Sequence, residues 1–105
     1  MPYKILSTDK YDDEVFEIVM YIATSSGDKN RALNYLDEIE QKTKILEDYP
    51  ETGSIPRNST IRKQGFRILF VANHHAIFYK IDHRGKKVIL YHIVDTRRDY
   101  ETLVK

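Results

Sequence analysis

A chain of 105 residues, 41% of them apolar, is long enough for one buried core and too short for two, so a single domain over residues 1–105 is expected. The absence of cysteine excludes disulfides, thiolate nucleophiles and cysteine-ligated metals. With no run of about eighteen apolar residues and no signal-peptide pattern at the N-terminus, a cytosolic protein is expected. The net charge of +1 hides a split: residues 1–56 carry −6 and residues 57–105 carry +7. A basic half attracts a polyanion or an acidic protein segment; ordinary solubility charges on strands explain the same count equally well.

In chain order, residues 3–6 (YKIL) predict a first strand. Ser7 and Thr8 are candidate caps for a helix with Tyr11, Val15, Ile18, Val19 and Ile22 on one face, ending near Ser25-Ser26-Gly27. Asp28 can cap a second helix with Ala32, Leu33, Leu36, Ile39, Thr43 and Leu46 on one face, and Pro50 and Gly53 end it. So short a connection between two amphipathic helices predicts an antiparallel hairpin. Residues 51–60 (ETGSIPRNST) read as the loosest stretch. Three segments rich in β-branched and aromatic residues follow, at 66–72, 75–81 and 88–94. Asn73-His74 suits a tight turn between the first two, and residues 82–87 a longer one in which Gly85 is free to take positive φ. The expected fold class is α+β, with the helical hairpin on one face of a mainly antiparallel sheet.

This order resembles the RelE/ParE superfamily of toxins from type II toxin-antitoxin systems. The resemblance is carried by DEVFEIVMYIA in the first helix, ALNYLDEIEQKTKILEDYPETG in the second with its Pro and Gly exit, FRILFVANHHAIFYKID in the hairpin and ILYHIVDTRRDYETL at the end. It implies one of two activities. RelE-like members resemble ribosome-dependent endoribonucleases that cut messenger RNA; ParE-like members resemble inhibitors of DNA gyrase that catalyse nothing. Both imply an antitoxin partner.

Cleavage by a ribose 2′-hydroxyl needs a base, a proton donor to the leaving oxygen and cations facing the charge that builds on the phosphorane. RelE-like members carry an Arg three residues before an aromatic on the central strand. The matching aromatic here is Tyr79, and the matching position is Ala76. Arg67 instead matches an Arg that ParE-like members share, in GFRILFV followed by IFY. If the chain is a nuclease, Arg67, His92, Arg97 and Tyr100 are the candidate catalytic residues. Arg62, Arg67, Arg97 and Arg98 are candidates for contact with a target or with nucleic acid. One of Arg97 and Arg98 is expected to pair with Asp95, Asp99 or a helix carboxylate, and the Tyr100 ring to pack on the sheet.

His74 and His75 are neighbours at a turn, and in extended backbone they point to opposite faces, a poor pair of metal ligands. His83 lies in a turn. His92 is placed by alternation on the face of Val88, Leu90 and Val94, part-buried with one hydrogen bond. No zinc spacing occurs, so no metal and no other cofactor are expected. The cations Arg57, Arg62, Lys63, Arg67, Lys80, Arg84, Lys86 and Lys87 form a groove only if strand alternation lets them share a face. Three readings follow: a ParE-like gyrase inhibitor, favoured by Ala76; a RelE-like ribonuclease with an altered site; and a non-toxic antitoxin partner in operator binding. In each, operator DNA is contacted through the antitoxin, since nothing resembles a helix-turn-helix reader.

Overall fold

A computed structural model describes residues 2–72 and 74–98; Tyr100 lies outside the described residues. Strand β1 (Lys4–Ser7) leads into helices α1 (Asp9–Ser26) and α2 (Lys29–Lys44), 3₁₀ turns at Ile45–Glu47 and Pro50–Thr52, and a short helix α3 (Ser59–Lys63). Strands β2 (Arg67–Val71), β3 (His75–Asp82) and β4 (Lys87–Asp95) complete the chain. The sheet order is β1-β4-β3-β2, with β1 parallel to β4 and the other pairs antiparallel. The parallel pair follows from the helical hairpin, which separates β1 from the meander and returns the chain to the same end of the sheet. No helix among the described residues is long and apolar enough to cross a membrane.

The helix starts are set by local chemistry. The Thr8 hydroxyl oxygen accepts the Tyr11 N–H at 3.1 Å, and Asp28 accepts the Asn30 N–H at 2.9 Å, so both expected caps are present. One face of the sheet then packs on the hairpin: Tyr11, Val15, Ile39 and Leu46 meet Leu69, Val71, Ile77, Tyr79, Val88, Leu90 and Ile93. Each such side chain removed from water contributes about 1.5–3 kcal/mol. Leu33, expected on the buried face of α2, is 59% exposed, because it sits a hundred degrees around the helix from Ala32, outside the stripe formed by Ala32, Ile39 and Thr43.

The opposite face carries a second cluster of Ile61, Phe66, Ile68, Ala76, Phe78 and Val94, with Tyr91 against it. Ile61 comes from α3, whose N-terminus is capped by Asn58 accepting the Thr60 and Ile61 N–H groups at 2.9 and 3.1 Å. The stretch 51–60 is therefore ordered, contrary to its loop-like composition. Ser54 also pairs with Ile68, N–H to carbonyl in both directions at 2.8 Å, extending the sheet beyond β2.

Turn chemistry departs from expectation twice. Val71 pairs with His75, and Ala72, expected at the end of the strand, leaves it with φ 52°; Asn73 lies outside the described residues. In the second, Lys86 takes positive φ (55°) and Gly85 does not; a Cβ on Gly85 would stand 2.5 Å from Asp82 Oδ2, so a side chain there would push aside the Asp82 carboxylate that accepts the Gly85 N–H.

The segment between helices and strands is held by a buried phenol. Tyr79, with no exposed surface, donates its hydroxyl to Pro50 O at 2.7 Å and accepts the Gly53 N–H at 2.9 Å. Arg67 completes the clamp, its Nε and Nη2 reaching Gly53 O at 3.2 and 2.9 Å and Nη2 reaching Glu51 O at 3.1 Å. A side chain on Gly53 would collide with the Tyr79 hydroxyl at 2.6 Å and with Ile68 O at 2.7 Å. Tyr79→Phe leaves the buried Gly53 N–H and the part-buried Pro50 carbonyl without this partner and is expected to lower stability by about 1–3 kcal/mol, read as a drop in Tm by calorimetry.

Candidate functional site

The cations singled out in the sequence do not converge. Arg67 pairs in register with Tyr79 on the helix-facing side, where its guanidinium serves backbone carbonyls. Lys80 lies on the opposite face, its ammonium 4.6 Å from the Phe66 ring centroid and 5.1 Å from that of Tyr91. Arg62 donates to Pro56 O and Arg57 O at 3.2 and 3.1 Å, tying α3 to the segment before it. Lys86 lies over Tyr3 at the far end of the sheet, beside β1. Arg97 and Arg98 follow β4 at the other end, where Asp95 pairs with His75. The His75 level is four residues along β3 from the Tyr79 level, so Arg67 stands about 13 Å along the strands from Asp95, besides the spacing between strands, and Arg97 follows Asp95 beyond β4. Ala76, level with Val94, is fully buried in the second cluster.

Asp95 and Arg97 form the ion pair expected for one of the two terminal arginines. Arg97 Nη2 is 2.6 Å from Asp95 Oδ2, and its Nε and backbone N–H donate to Oδ1 at 3.1 and 2.9 Å. These bonds hold the Asp95 carboxyl well below the usual carboxylate range. The Arg98 side chain is exposed and makes no hydrogen bond or ion pair among the described residues.

His74 and His75 come together, against the expectation of opposed faces, because His74 belongs to the turn and only His75 to the strand; their ring centroids are 5.0 Å apart. With Asp95 they place three ligand atoms within 4.8 Å of one another. His75 also meets Tyr35 edge to face at 5.4 Å, and its Nδ1 and the Tyr35 hydroxyl are both buried without a hydrogen-bond partner among the described residues. Burial, and then the neighbouring His74, push the His75 pKa down, favouring the neutral ring. His74, His75 and Tyr35 line a groove of about 760 Å³ between the C-terminal end of α1, α2 and the β2–β3 turn, which also receives Arg31 and Glu38.

A bulge in β4 explains the position of His92. Phe78 pairs with His92 and Tyr79 with Leu90, so Tyr91 is an extra residue and the alternation changes phase there. Val88 and Leu90 face the helices while Val94 faces away, so the common face expected for them does not exist. The His92 ring tilts against Phe66 at 6.5 Å, with Nδ1 3.5 Å from Glu14 Oε1 and no hydrogen bond to that nitrogen among the described residues. Glu14 reaches across from α1 to accept the Ile93 N–H at 3.3 Å, covering a β4 amide that β1 is too short to pair. Burial raises the Glu14 pKa, opposed by the Ile93 N–H and by His92. A raised folded value means that the Glu14 contribution to stability is fully present below the ordinary glutamate value of 4.5 and is lost as pH rises through the folded value. Glu14→Gln keeps the acceptor oxygen and removes the buried charge. Its Tm is expected to exceed that of the parent at pH 8, with the difference shrinking as pH falls toward 4.5 in a series of thermal melts.

Three similarities bear on identity. The family model described as the ParE toxin of the type II toxin-antitoxin system parDE matches residues 5–100. A chain from the chromosomal ParDE toxin-antitoxin system of P. aeruginosa superposes with a TM-score of 0.71 at 17% identity, covering 89% of this chain and 95% of that one. A chain from the RelBE2 toxin-antitoxin complex of Mycobacterium tuberculosis gives 0.60 at 16% identity, covering 90% and 99%. Among curated proteins none matches the sequence. The structural likenesses show a shared fold, and the family match extends over nearly the whole chain from β1 onward. The chain belongs to the ParE toxin family of type II toxin-antitoxin systems, within the RelE/ParE superfamily.

Proposed function

We propose that this toxin arrests growth in the cytoplasm by binding DNA gyrase, without catalysing a reaction, and that a cognate antitoxin neutralises it. The observation that carries this reading is the dispersal of the candidate catalytic cations. Arg67 is committed to the carbonyls of Glu51 and Gly53, Arg97 to Asp95, and the position where RelE-like members carry an arginine is a buried Ala76. A phosphorane needs cations and a proton donor within a few ångströms of one phosphate. Among the described residues, Arg67, His92 and Arg97 offer no such convergence. Of Arg62, Arg67, Arg97 and Arg98, the proposal assigns target contact first to Arg98, whose side chain is exposed; the other three reach a target only by giving up their present partners.

The antitoxin reading rests on the outer face of the hairpin. Phe16 (64% exposed) and Met20 (45%) lie one turn apart on α1, on the side away from Tyr11 and Val15, with Tyr21 at 72% nearby in sequence. An amphipathic antitoxin segment covering them would order on binding and bury this apolar stripe. Operator DNA is reached through the antitoxin.

Two parallel reactions test the target. With relaxed plasmid, gyrase and ATP, the purified toxin is expected to abolish supercoiling, while message on a programmed ribosome stays intact. Message cut only when ribosomes are present would overturn the gyrase reading. For the antitoxin, Phe16→Asp combined with Met20→Asp is expected to weaken the complex at least tenfold by calorimetric titration while the circular dichroism of the free toxin is unchanged. Parental affinity in that variant would place the antitoxin elsewhere.

A further inference from the structure

We propose that His74, His75 and Asp95 form a binding site for one divalent transition-metal ion of the zinc or nickel class. The three donors come from two segments that the sheet holds together. His75 pairs directly with Asp95 in the β3–β4 ladder, and the Thr96 N–H donates to His74 O at 2.8 Å, so the turn and the end of β4 are fixed to each other by backbone. The ligand atoms already lie within 4.8 Å of one another. A tetrahedral ion with bonds of about 2.05 Å needs neighbouring donors about 3.3 Å apart, a contraction within reach of side-chain rotation alone.

A second observation points the same way. Nδ1 of His75 is buried and has no hydrogen-bond partner among the described residues, an unusual state for a buried ring nitrogen that a metal ion bound at Nδ1 itself would relieve, with Nε2 then carrying the proton. Two imidazoles and one carboxylate favour zinc, nickel or copper over magnesium and calcium, which take oxygen donors. The groove beside His74 and His75 leaves space for water or a further ligand on the open side of the ion.

Arg97 is the competitor. Its guanidinium occupies both Asp95 oxygens, so the ion must displace it from at least one of them, and the site is weaker for that. The residue also makes a diagnostic handle: removing it should tighten the ion, whereas a nonspecific surface site would not respond.

The test uses the untagged full-length chain, since a polyhistidine tag would bind the same ions, and titrates Zn²⁺ calorimetrically with Mg²⁺ as the control. One equivalent of Zn²⁺ and no Mg²⁺ are expected to bind. His74→Gln and Asp95→Asn should each weaken Zn²⁺ at least tenfold, His83→Gln should leave it unchanged, and Arg97→Ala should tighten it severalfold. His74→Gln alters a turn residue outside the ladder and remains decisive should Asp95→Asn fail to fold by circular dichroism. Absence of Zn²⁺ binding, or equal binding by parent and His74→Gln, would overturn the proposal; unchanged affinity in Arg97→Ala would overturn the competition.

Discussion

The Tyr79 hydroxyl, on an inner strand of the sheet, donates to Pro50 O and accepts from Gly53 N–H, and through those two bonds the helical half of the chain is tied to the strand half. Both partners are backbone groups of a segment that leaves α2 and has no ladder of its own until Ser54 pairs with Ile68. Without the phenol, the buried Gly53 N–H would be stranded away from water and the part-buried Pro50 carbonyl would lose its bond to the sheet. Arg67 reinforces the same segment with three bonds, and Gly53 allows the phenol to approach. This constraint sets where Ser54 and α3 go, and α3 in turn supplies Ile61 to cover the second face. An arginine that looks like a ligand for phosphate is thus part of the fold's own fastening.

The charge split between the halves does not become a split between two surfaces. Strand alternation sends Arg67 to one face and Lys80 to the other, and the sheet ends separate Lys86 from Arg97. Lys80 and Lys86 stand over aromatic rings, and Arg62, Arg67 and Arg97 bond to carbonyls or a carboxylate, so much of the positive charge acts within the molecule. Phe16 and Met20 on α1 and Arg98 after β4 are left on the outside of the molecule.

At the His74 end of the sheet the reverse holds. There the turn, the β3–β4 register and the Asp95–Arg97 pair concentrate two imidazoles, a carboxylate and a guanidinium in one place, next to an orphaned tyrosine hydroxyl. The side chains that gather were not those whose spacing suggested a site, because adjacent residues share a side only when a turn breaks the pleat between them.

The sequence by itself determined the element order, the Thr8 and Asp28 caps, the inward stripe of Tyr11 and Val15 and the alternating strands, because these depend on local chemistry and on periods of 3.6 and 2 residues. It also carried the family, through the order and spacing of those elements. Only tertiary structure decided the rest. The parallel seat of β1 beside β4 depends on how the hairpin crosses; α3 exists because Ile61 finds a bare sheet face, which no composition of SIPRNST announces. The Tyr91 bulge reversed the alternation that would have placed His92 beside Val88 and Leu90, and a single inserted residue leaves no mark on a hydrophobic pattern. The fates of Arg67, His74 and His75 were decided by contacts between segments distant in the chain or by the path of a turn, and side-chain type and spacing do not encode those.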